Sequence, residues 1–124
     1  MKGKHKRGIG LRYALQGIVI VVKEEKNFRI HICMATLAIL FSAILNVSTS
    51  EWLFILFVIH LVFITELINS AIERLIDYIK PEFHPLAGAI KDIAASSVLV
   101  ASILSIFVGC IIFIPKIINA LSLF

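Results

Sequence analysis

Long apolar runs alternate with short polar stretches along this chain, and three of the runs are long enough to cross a membrane. They lie at about residues 28–45, 51–79 and 86–114. Because a helix rises 1.5 Å per residue, roughly 20 apolar residues cross a hydrocarbon core of about 30 Å. Residues 11–22 form a shorter apolar segment with a basic flank, which is typical of a helix lying in the membrane surface. The pattern predicts an all-α integral membrane protein with an N-terminal amphipathic surface helix followed by three transmembrane helices.

Polar breaks mark the ends of the predicted spans. Residues 46–50 form a turn cluster that contains an N-cap for the second span. Lys80-Pro81 ends the second span, since the residue before a proline disfavours helical geometry, and residues 82–85 form a short polar connection. Pro115-Lys116 is expected to close the third span.

Composition and charge support a membrane protein and predict its orientation. Hydrophobic residues make up 60% of the 124 positions, and the mean hydropathy of +1.00 exceeds what a soluble domain of this size can bury. Eight Lys and Arg stand against two Glu up to Arg29, whereas the remainder holds four Lys and Arg against six acids. The first connection between spans lacks Lys and Arg, and the second carries Arg74, Lys80 and Lys91, so the N-terminus should be cytoplasmic. We therefore expect one multi-pass domain over residues 1–124 in the cell (cytoplasmic) membrane, with residues 1–27 cytoplasmic or interfacial.

Acidic residues at the inner end of the second span are the main candidates for chemistry. Glu66, Asn69, Glu73 and Asp77 have helical offsets of 0, 3, 7 and 11, which fall within a stripe about 80° wide. A carboxylate near the hydrocarbon is costly unless a cavity, a cation or a partner compensates its desolvation. A solvated helix end would show a similar pattern, but three acids and an amide in register directly after an apolar run favour a functional site. The stripe should start in the inner part of the bilayer at Glu66 and emerge on the cytoplasmic side.

Further acids and bases recur at the same membrane boundary. They are Glu25 before the first span, Glu82 and His84 in the connection, and Lys91-Asp92 before the third span. Carboxylate oxygens suit a hard cation such as Mg²⁺, which usually binds one or two carboxylates together with phosphate oxygens and water. A lysine adds a point charge for phosphate. The sequence contains neither a Gly-rich phosphate loop nor a Cys/His cluster for zinc.

Four motifs carry most of this chemistry: Glu-Lys-Asn-Phe-Arg-Ile-His at 25–31, Glu-Leu-Ile-Asn-Ser-Ala-Ile-Glu at 66–73, Glu-Phe-His-Pro-Leu-Ala at 82–87 and Ala-Ile-Lys-Asp-Ile-Ala-Ala at 89–95. Together with Asp77 and the order of segments, they closely resemble the prokaryotic diacylglycerol kinase family of small membrane lipid kinases. The segments 27–31, 84–87 and 112–116 are most similar to its undecaprenol kinase branch.

The resemblance implies an ATP- and Mg²⁺-dependent lipid kinase that works as a homotrimer with active sites at the cytoplasmic membrane surface. Glu66 matches the general base that takes the proton from the lipid hydroxyl, and Glu25 and Glu73 match the metal-binding acids. The other matches are the nucleotide-contacting Tyr13, Glu82, Phe83, His84, Lys91 and Asp92, and the supporting Asn69 and Asp77. The implied partners are ATP and a membrane lipid, with no nucleic acid.

Several alternatives stay open at the level of sequence. Undecaprenol is the favoured acceptor and diacylglycerol the alternative, because an apolar pocket discriminates poorly between long chains. The basic residue near the phosphates is Lys6, Arg7 or Arg12. A small proton- or cation-coupled transporter would also hold acids within a bundle, although mid-membrane rather than crowded at one end. A non-catalytic accessory subunit would merely pack the polar stripe against a partner. The sequence decides neither the oligomer size nor whether one active site is shared between subunits.

Overall fold

Four α-helices make up the part of the chain that the computed structural model describes, residues 10–124. They are α1 (Gly10–Glu24), α2 (Lys26–Ile44), α3 (Thr49–Ile79) and α4 (Pro85–Leu121). The last three are long and apolar enough to cross a membrane. The predicted all-α membrane architecture, a short first helix followed by three spans, is confirmed.

The start of α3 shows the predicted N-cap in full. The Ser48 side chain accepts a hydrogen bond from the Glu51 backbone N–H at 3.2 Å, and Glu51 Oε2 accepts one from the Ser48 backbone N–H at 2.7 Å. This reciprocal pair satisfies two backbone donors that a helix start leaves unpaired. Asn46, with φ of 51°, turns the chain just before it, in the left-handed region that asparagine tolerates better than most residues.

The predicted end of the third span at Pro115-Lys116 is wrong, because α4 continues through Pro115 to its end. A proline removes one backbone hydrogen bond, but membrane helices tolerate this loss where neighbouring groups compensate it. Here α4 is held against α3 on both sides of the proline. Ile112 packs with Ile55 before it, and Lys116 Nζ lies 3.1 Å from Glu51 Oε2 after it.

The closest helix packing is between α3 and α4, whereas α2 packs more sparsely on α3. Ala94, Val98 and Ala101 of α4 are buried, and so are Val58 and Val62 of α3. Small residues of this kind let membrane helices approach closely, as the Ala- and Ser-rich sequence of α4 predicts. The looser contact of α2 leaves an apolar groove between α2, α3 and α4.

Only Glu25 separates α1 from α2, and this sharp junction is held by Arg29. Its Nη1 donates to the Val22 carbonyl at 3.0 Å and to the Lys23 carbonyl at 2.9 Å. These are carbonyls in the last turn of α1, which lack intrahelical partners. Next to Arg29, the buried ring of Phe28 packs on Phe63 of α3, with the ring centroids 5.4 Å apart and the ring planes tilted by 40°. The junction is therefore fixed against α3 with the Glu25 side chain between them.

Candidate active site

Glu66 lies buried in α3, with only 3% of its surface exposed. Its Oε2 is 3.8 Å from Nε2 of His31 on α2, which is too long for a hydrogen bond and leaves an electrostatic contact. The carboxylates of Glu73 and Glu25 lie near enough to act on Glu66 as like charges. The structure thus brings two other sequence-predicted acids, Glu25 and Glu73, into the neighbourhood of the buried Glu66 carboxylate.

The predicted stripe on α3 becomes more exposed along the helix. Glu66 and Asn69 are buried, Glu73 is half-buried and Asp77 is exposed. Asp77 forms an ion pair with Lys91 of α4, so two residues predicted separately lie together at the outer end of the stripe. The stripe therefore leads from a buried acid to a solvent-accessible acid–base pair.

Glu25 reaches across from the α1–α2 junction to α3. Its Oε1 accepts a hydrogen bond from the Ser70 hydroxyl at 3.1 Å and one from Arg74 Nη2 at 3.2 Å. The same Arg74 Nη2 lies 2.8 Å from Oε2 of Glu24. Ser70 itself is 1% exposed, so one donor to Glu25 is fixed inside the protein and the other approaches from its surface.

Asn69 holds an unpartnered polar atom inside the site. Its Oδ1 is the one buried side-chain oxygen or nitrogen in residues 10–124 that lacks a hydrogen-bond partner, and the residue is 6% exposed. A buried acceptor without a partner is costly, and native proteins retain such atoms mainly where a ligand, an ion or a mechanism uses them. Asn69 lies one turn from Glu66 on the same face, so this oxygen marks a place for a donor or a cation.

The predicted nucleotide-contacting residues of the α3–α4 connection are exposed. The Glu82 carboxylate lies 3.0 Å from Lys80 Nζ, and this ammonium, together with the backbone N–H of Glu82, holds the pKa of that carboxyl below its ordinary value. His84 Nδ1 accepts from the Leu86 backbone N–H at 3.1 Å and thereby caps α4. The side chain of Phe83 points into solvent. These contacts are local, so they order the connection without joining it to Glu66.

Three further residues predicted to contact the nucleotide or its phosphates are exposed. Asp92 is exposed on α4, and Tyr13 and Arg12 are exposed on α1. Lys6 and Arg7 fall outside the residues that the structure describes. A contact of Lys6, Arg7 or Arg12 with the phosphates therefore stays a prediction from the sequence.

The donor set fits a hard cation but does not form a complete metal site. Within the described part of the chain, no three His, Cys, Asp or Glu side chains converge on one point. Glu25 and Glu73 offer carboxylate oxygens near Glu66, and Asn69 Oδ1 is free to accept. Mg²⁺ typically takes one or two protein carboxylates and completes its shell with phosphate oxygens and water. The residues therefore fit Mg²⁺ brought in by a phosphate ligand.

Four residues that the sequence did not single out contribute to the site: His31, Ser70, Arg74 and Glu24. Ser70 and Arg74 follow Glu66 at successive intervals of four residues, which places them in the row beside the acidic stripe. That spacing is a signal that sequence reasoning could have used. His31 carries no such signal, because only the packing of α2 on α3 brings it to Glu66.

A groove with a volume of about 360 Å³ runs between α2, α3 and α4. Its walls are almost entirely apolar, and His31, the same residue that contacts Glu66, lies on its α2 side. Ile55, Val58 and Val62 line the α3 side. Such a groove suits an aliphatic chain, and its polar boundary lies beside the buried carboxylate.

Comparison with known proteins gives a consistent result. Residues 12–113 match the family described as prokaryotic diacylglycerol kinase. The undecaprenol kinase of Bacillus subtilis is 38% identical over 104 residues, which cover 84% of this chain and 85% of that protein. The diacylglycerol kinase of Helicobacter pylori strain J99 is 35% identical, covering 79% of this chain and 77% of its own. The diacylglycerol kinase of Escherichia coli K12 is 32% identical, covering 81% and 82%. The chain therefore belongs to the prokaryotic diacylglycerol kinase family of membrane lipid kinases.

Proposed function

We propose that this lipid kinase transfers the γ-phosphoryl group of ATP to the hydroxyl of undecaprenol, giving undecaprenyl phosphate. The observation that carries the proposal is the buried Glu66 carboxylate beside an apolar groove. A long isoprenoid can lie along such a groove with its single hydroxyl at the polar end. The similarity to an undecaprenol kinase supports this acceptor, and the similarity to diacylglycerol kinases names the alternative.

Glu66 is the general base in this proposal. It accepts the proton of the lipid hydroxyl while that oxygen bonds to the γ-phosphorus and the bond to the bridging oxygen of ADP breaks. Phosphoryl transfer depends mainly on positioning and charge neutralisation, so a base within reach of the hydroxyl and a neutralised phosphate suffice. His31 lines the groove and lies 3.8 Å from Glu66, so the carboxylate is next to the polar end of the groove where the lipid hydroxyl would lie.

Glu25 and Glu73 hold Mg²⁺ in this proposal, with Asn69 and Asp77 supporting the site. Bound Mg²⁺ supplies charge neutralisation of the transferred phosphoryl group. Glu73 is half-buried, Glu25 reaches α3 from the α1–α2 junction, and both lie near enough to act on Glu66 as like charges. This division separates a deep base from shallower ligands on one stripe.

The nucleotide enters from the cytoplasm and contacts residues that are exposed or partly exposed: Tyr13, Glu82, Phe83, His84, Lys91 and Asp92. The Lys91–Asp77 pair at the exposed end supports this direction of approach, because lysine offers a point charge to phosphate.

The enzyme works as a homotrimer. Many large apolar side chains of α2 and α4 are exposed in the single chain, where lipid or another subunit covers them.

Phosphoryl transfer by the purified full-length chain tests the proposal. The protein is placed in lipid nanodiscs with Mg²⁺ and radiolabelled ATP, and undecaprenol and diacylglycerol are supplied at equal mole fraction. We expect label on undecaprenol in excess. Preferential labelling of diacylglycerol would replace the acceptor and leave the kinase mechanism intact, whereas no labelling of either would contradict a lipid kinase active on its own.

Two matched variants test the division of roles. Glu66→Gln should lower transfer by about 10²-fold or more, the usual contribution of general base catalysis, while Mg·ATP still binds. Glu73→Gln should weaken Mg·ATP binding itself. Glu51→Gln makes the same chemical change at the other end of α3, where glutamine can still serve in the cap, and should leave transfer unchanged. Equal loss of nucleotide binding in the first two variants would contradict the division.

Mixing Glu66→Gln with Glu25→Gln subunits tests whether subunits share a site, because Glu66 and Glu73 lie on one helix whereas Glu25 precedes another. If Glu25 of one site comes from a neighbouring chain, co-assembly of these two variants restores part of the activity. If every site lies within one chain, the mixture stays inactive.

A further inference from the structure

Arg74 stands out in the structure because one guanidinium serves two consecutive carboxylates. Its Nη2 lies 2.8 Å from Glu24 and 3.2 Å from Glu25, and its Nε lies 3.5 Å from the Ser70 hydroxyl. The two acids carry two negative charges against a single positive one. Arg74 therefore neutralises the two carboxylates only partly. A closer contact of the guanidinium with one carboxylate weakens its interaction with the other.

Glu25 has the backbone geometry of an N-cap residue but does not use its side chain as a cap. Its backbone is extended, with φ of −104° and ψ of 110°, as is usual for the residue that precedes a helix. The Glu25 side chain makes no hydrogen bond to the start of α2. It turns instead to α3, where Ser70 and Arg74 both bind Oε1. The Glu25 side chain is thus committed to the α3 site rather than to its own helix.

The two donors to Glu25 differ in how easily they can leave. Ser70 is almost fully buried and sits on the helix that carries the site. The Arg74 side chain is 42% exposed, and its partner Glu24 is 58% exposed. An exposed ion pair contributes little and exchanges readily with solvent ions. Arg74 can therefore move away from Glu25 at small cost while Ser70 keeps the carboxylate in place.

We propose that Arg74 is a built-in counter-ion that occupies the metal-binding carboxylate Glu25 and competes with the divalent cation for it. This inference rests on the proposed function, in which Glu25 is a ligand of Mg²⁺. Arg74 is a positioning residue in this scheme. Together with Ser70 it holds Glu25 on α3 before the metal binds, and its guanidinium moves away from Glu25 when the metal takes its place. Glu24 retains the guanidinium near the junction after that exchange.

The shared guanidinium leads to opposite effects for two variants. Removing Arg74 leaves Glu25 without its cation, so divalent cations should bind more tightly. Removing the charge of Glu24 leaves Arg74 to Glu25 alone, so divalent cations should bind more weakly. A purely structural role of Arg74 predicts weaker cation binding in both variants, because both would loosen the same junction.

Binding of Mn²⁺ to the full-length protein in nanodiscs, followed by electron paramagnetic resonance of free Mn²⁺ without nucleotide, tests the competition. We expect Arg74→Gln to bind Mn²⁺ about two- to fivefold more tightly than the native protein, the range that an exposed ion pair supports. Glu24→Gln should bind more weakly by a similar factor. Arg74→Lys keeps the charge but loses the guanidinium group whose Nη2 contacts both carboxylates. Its Mn²⁺ affinity should fall between those of the native protein and Arg74→Gln.

Glu25→Gln separates this inference from the proposed function. In that background, Arg74→Gln should no longer change Mn²⁺ affinity. Lys26→Gln removes an exposed cation beside Glu25 in sequence and should change Mn²⁺ affinity less than Arg74→Gln does.

If Glu25→Gln alone leaves Mn²⁺ affinity unchanged, the metal role of Glu25 fails. If Glu25→Gln weakens Mn²⁺ binding but Arg74→Gln does not strengthen it, only the competition fails. Absence of Mn²⁺ binding by both the native protein and Arg74→Gln would overturn the competition as well.

Discussion

Replacing Asn69 by leucine should make the protein more stable and less active at once. The side chain is 6% exposed, and its Oδ1 lacks a hydrogen-bond partner. Leucine has the same branched shape without the polar atoms, so the change removes a buried unsatisfied acceptor at the cost of some extra side-chain volume that α3 and its neighbours must accommodate. Under the proposed function, the same oxygen contacts a donor or a cation in the substrate complex, so its removal should lower the rate of phosphoryl transfer.

The size of the stability gain follows from the cost of that unpartnered oxygen. A buried acceptor left without a partner costs about 1–3 kcal/mol. Leucine at position 69 should recover most of it, since a hydrophobic residue with the same branching near the membrane interior adds no new polar group. A gain of about 1–2 kcal/mol raises the unfolding temperature by a few degrees per kcal/mol in a chain of this length.

Thermal unfolding in detergent micelles without nucleotide, paired with the lipid phosphorylation assay, measures both effects. Asn69→Ala is the matched control, because it also removes the oxygen but leaves a small cavity, which should offset the gain in stability. We expect Asn69→Leu to unfold at a higher temperature than the native protein and to transfer phosphate at least about fivefold more slowly, the loss of one hydrogen bond. A leucine variant that is less stable than the native protein, or fully active, would refute the reasoning.

Three further predictions concern contacts between helices and in the α3–α4 connection. His31→Ala should slow phosphoryl transfer by on the order of tenfold without weakening ATP binding, because His31 lies on the groove side of Glu66; an altered KM for ATP with an unchanged kcat would argue against this position. Lys80→Gln should return the Glu82 pKa toward its ordinary value in an NMR titration. Since that pKa is depressed in the folded protein, the pair stabilises the connection at neutral pH and loses this effect as pH falls through the carboxylate range. Lys116→Gln should lower the unfolding temperature slightly while leaving transfer unchanged, because its ion pair joins α3 and α4 at the end opposite the site.

The helices and most of their ends follow from local rules that the sequence displays directly. Ser48 and Glu51 form the capping pair expected of a turn cluster, and Lys80 ends α3 because Pro81 follows it. Pro115 breaks this rule. Its effect on α4 depends on the contact of Lys116 with α3, which is a tertiary interaction that the local sequence does not reveal.

The site was predictable to the extent that it lies on one helix. Glu66, Asn69 and Glu73 share a face of α3, and helical periodicity alone identifies them. His31 enters the site through the packing of α2 on α3. Arg74 lies on α3 itself, but it meets its partners Glu24 and Glu25 only because the α1–α2 junction packs on that helix. Sequence reasoning therefore finds the acids and misses the tertiary contacts that His31 and Arg74 make with them.

The charge balance around Arg74 affects how the nucleotide can bind. Glu24, Glu25, Glu66 and Glu73 bring four carboxylates to one region, and Arg74 contributes one full positive charge there. ATP is itself strongly anionic, so like charges would repel it from this end of the stripe. Under the proposed function, the nucleotide can approach only together with a divalent cation that offsets both sets of charges. Arg74 then partly neutralises the empty carboxylates without matching the charge of that cation, so a divalent cation that arrives together with the phosphates should displace Arg74 more readily than the free cation does.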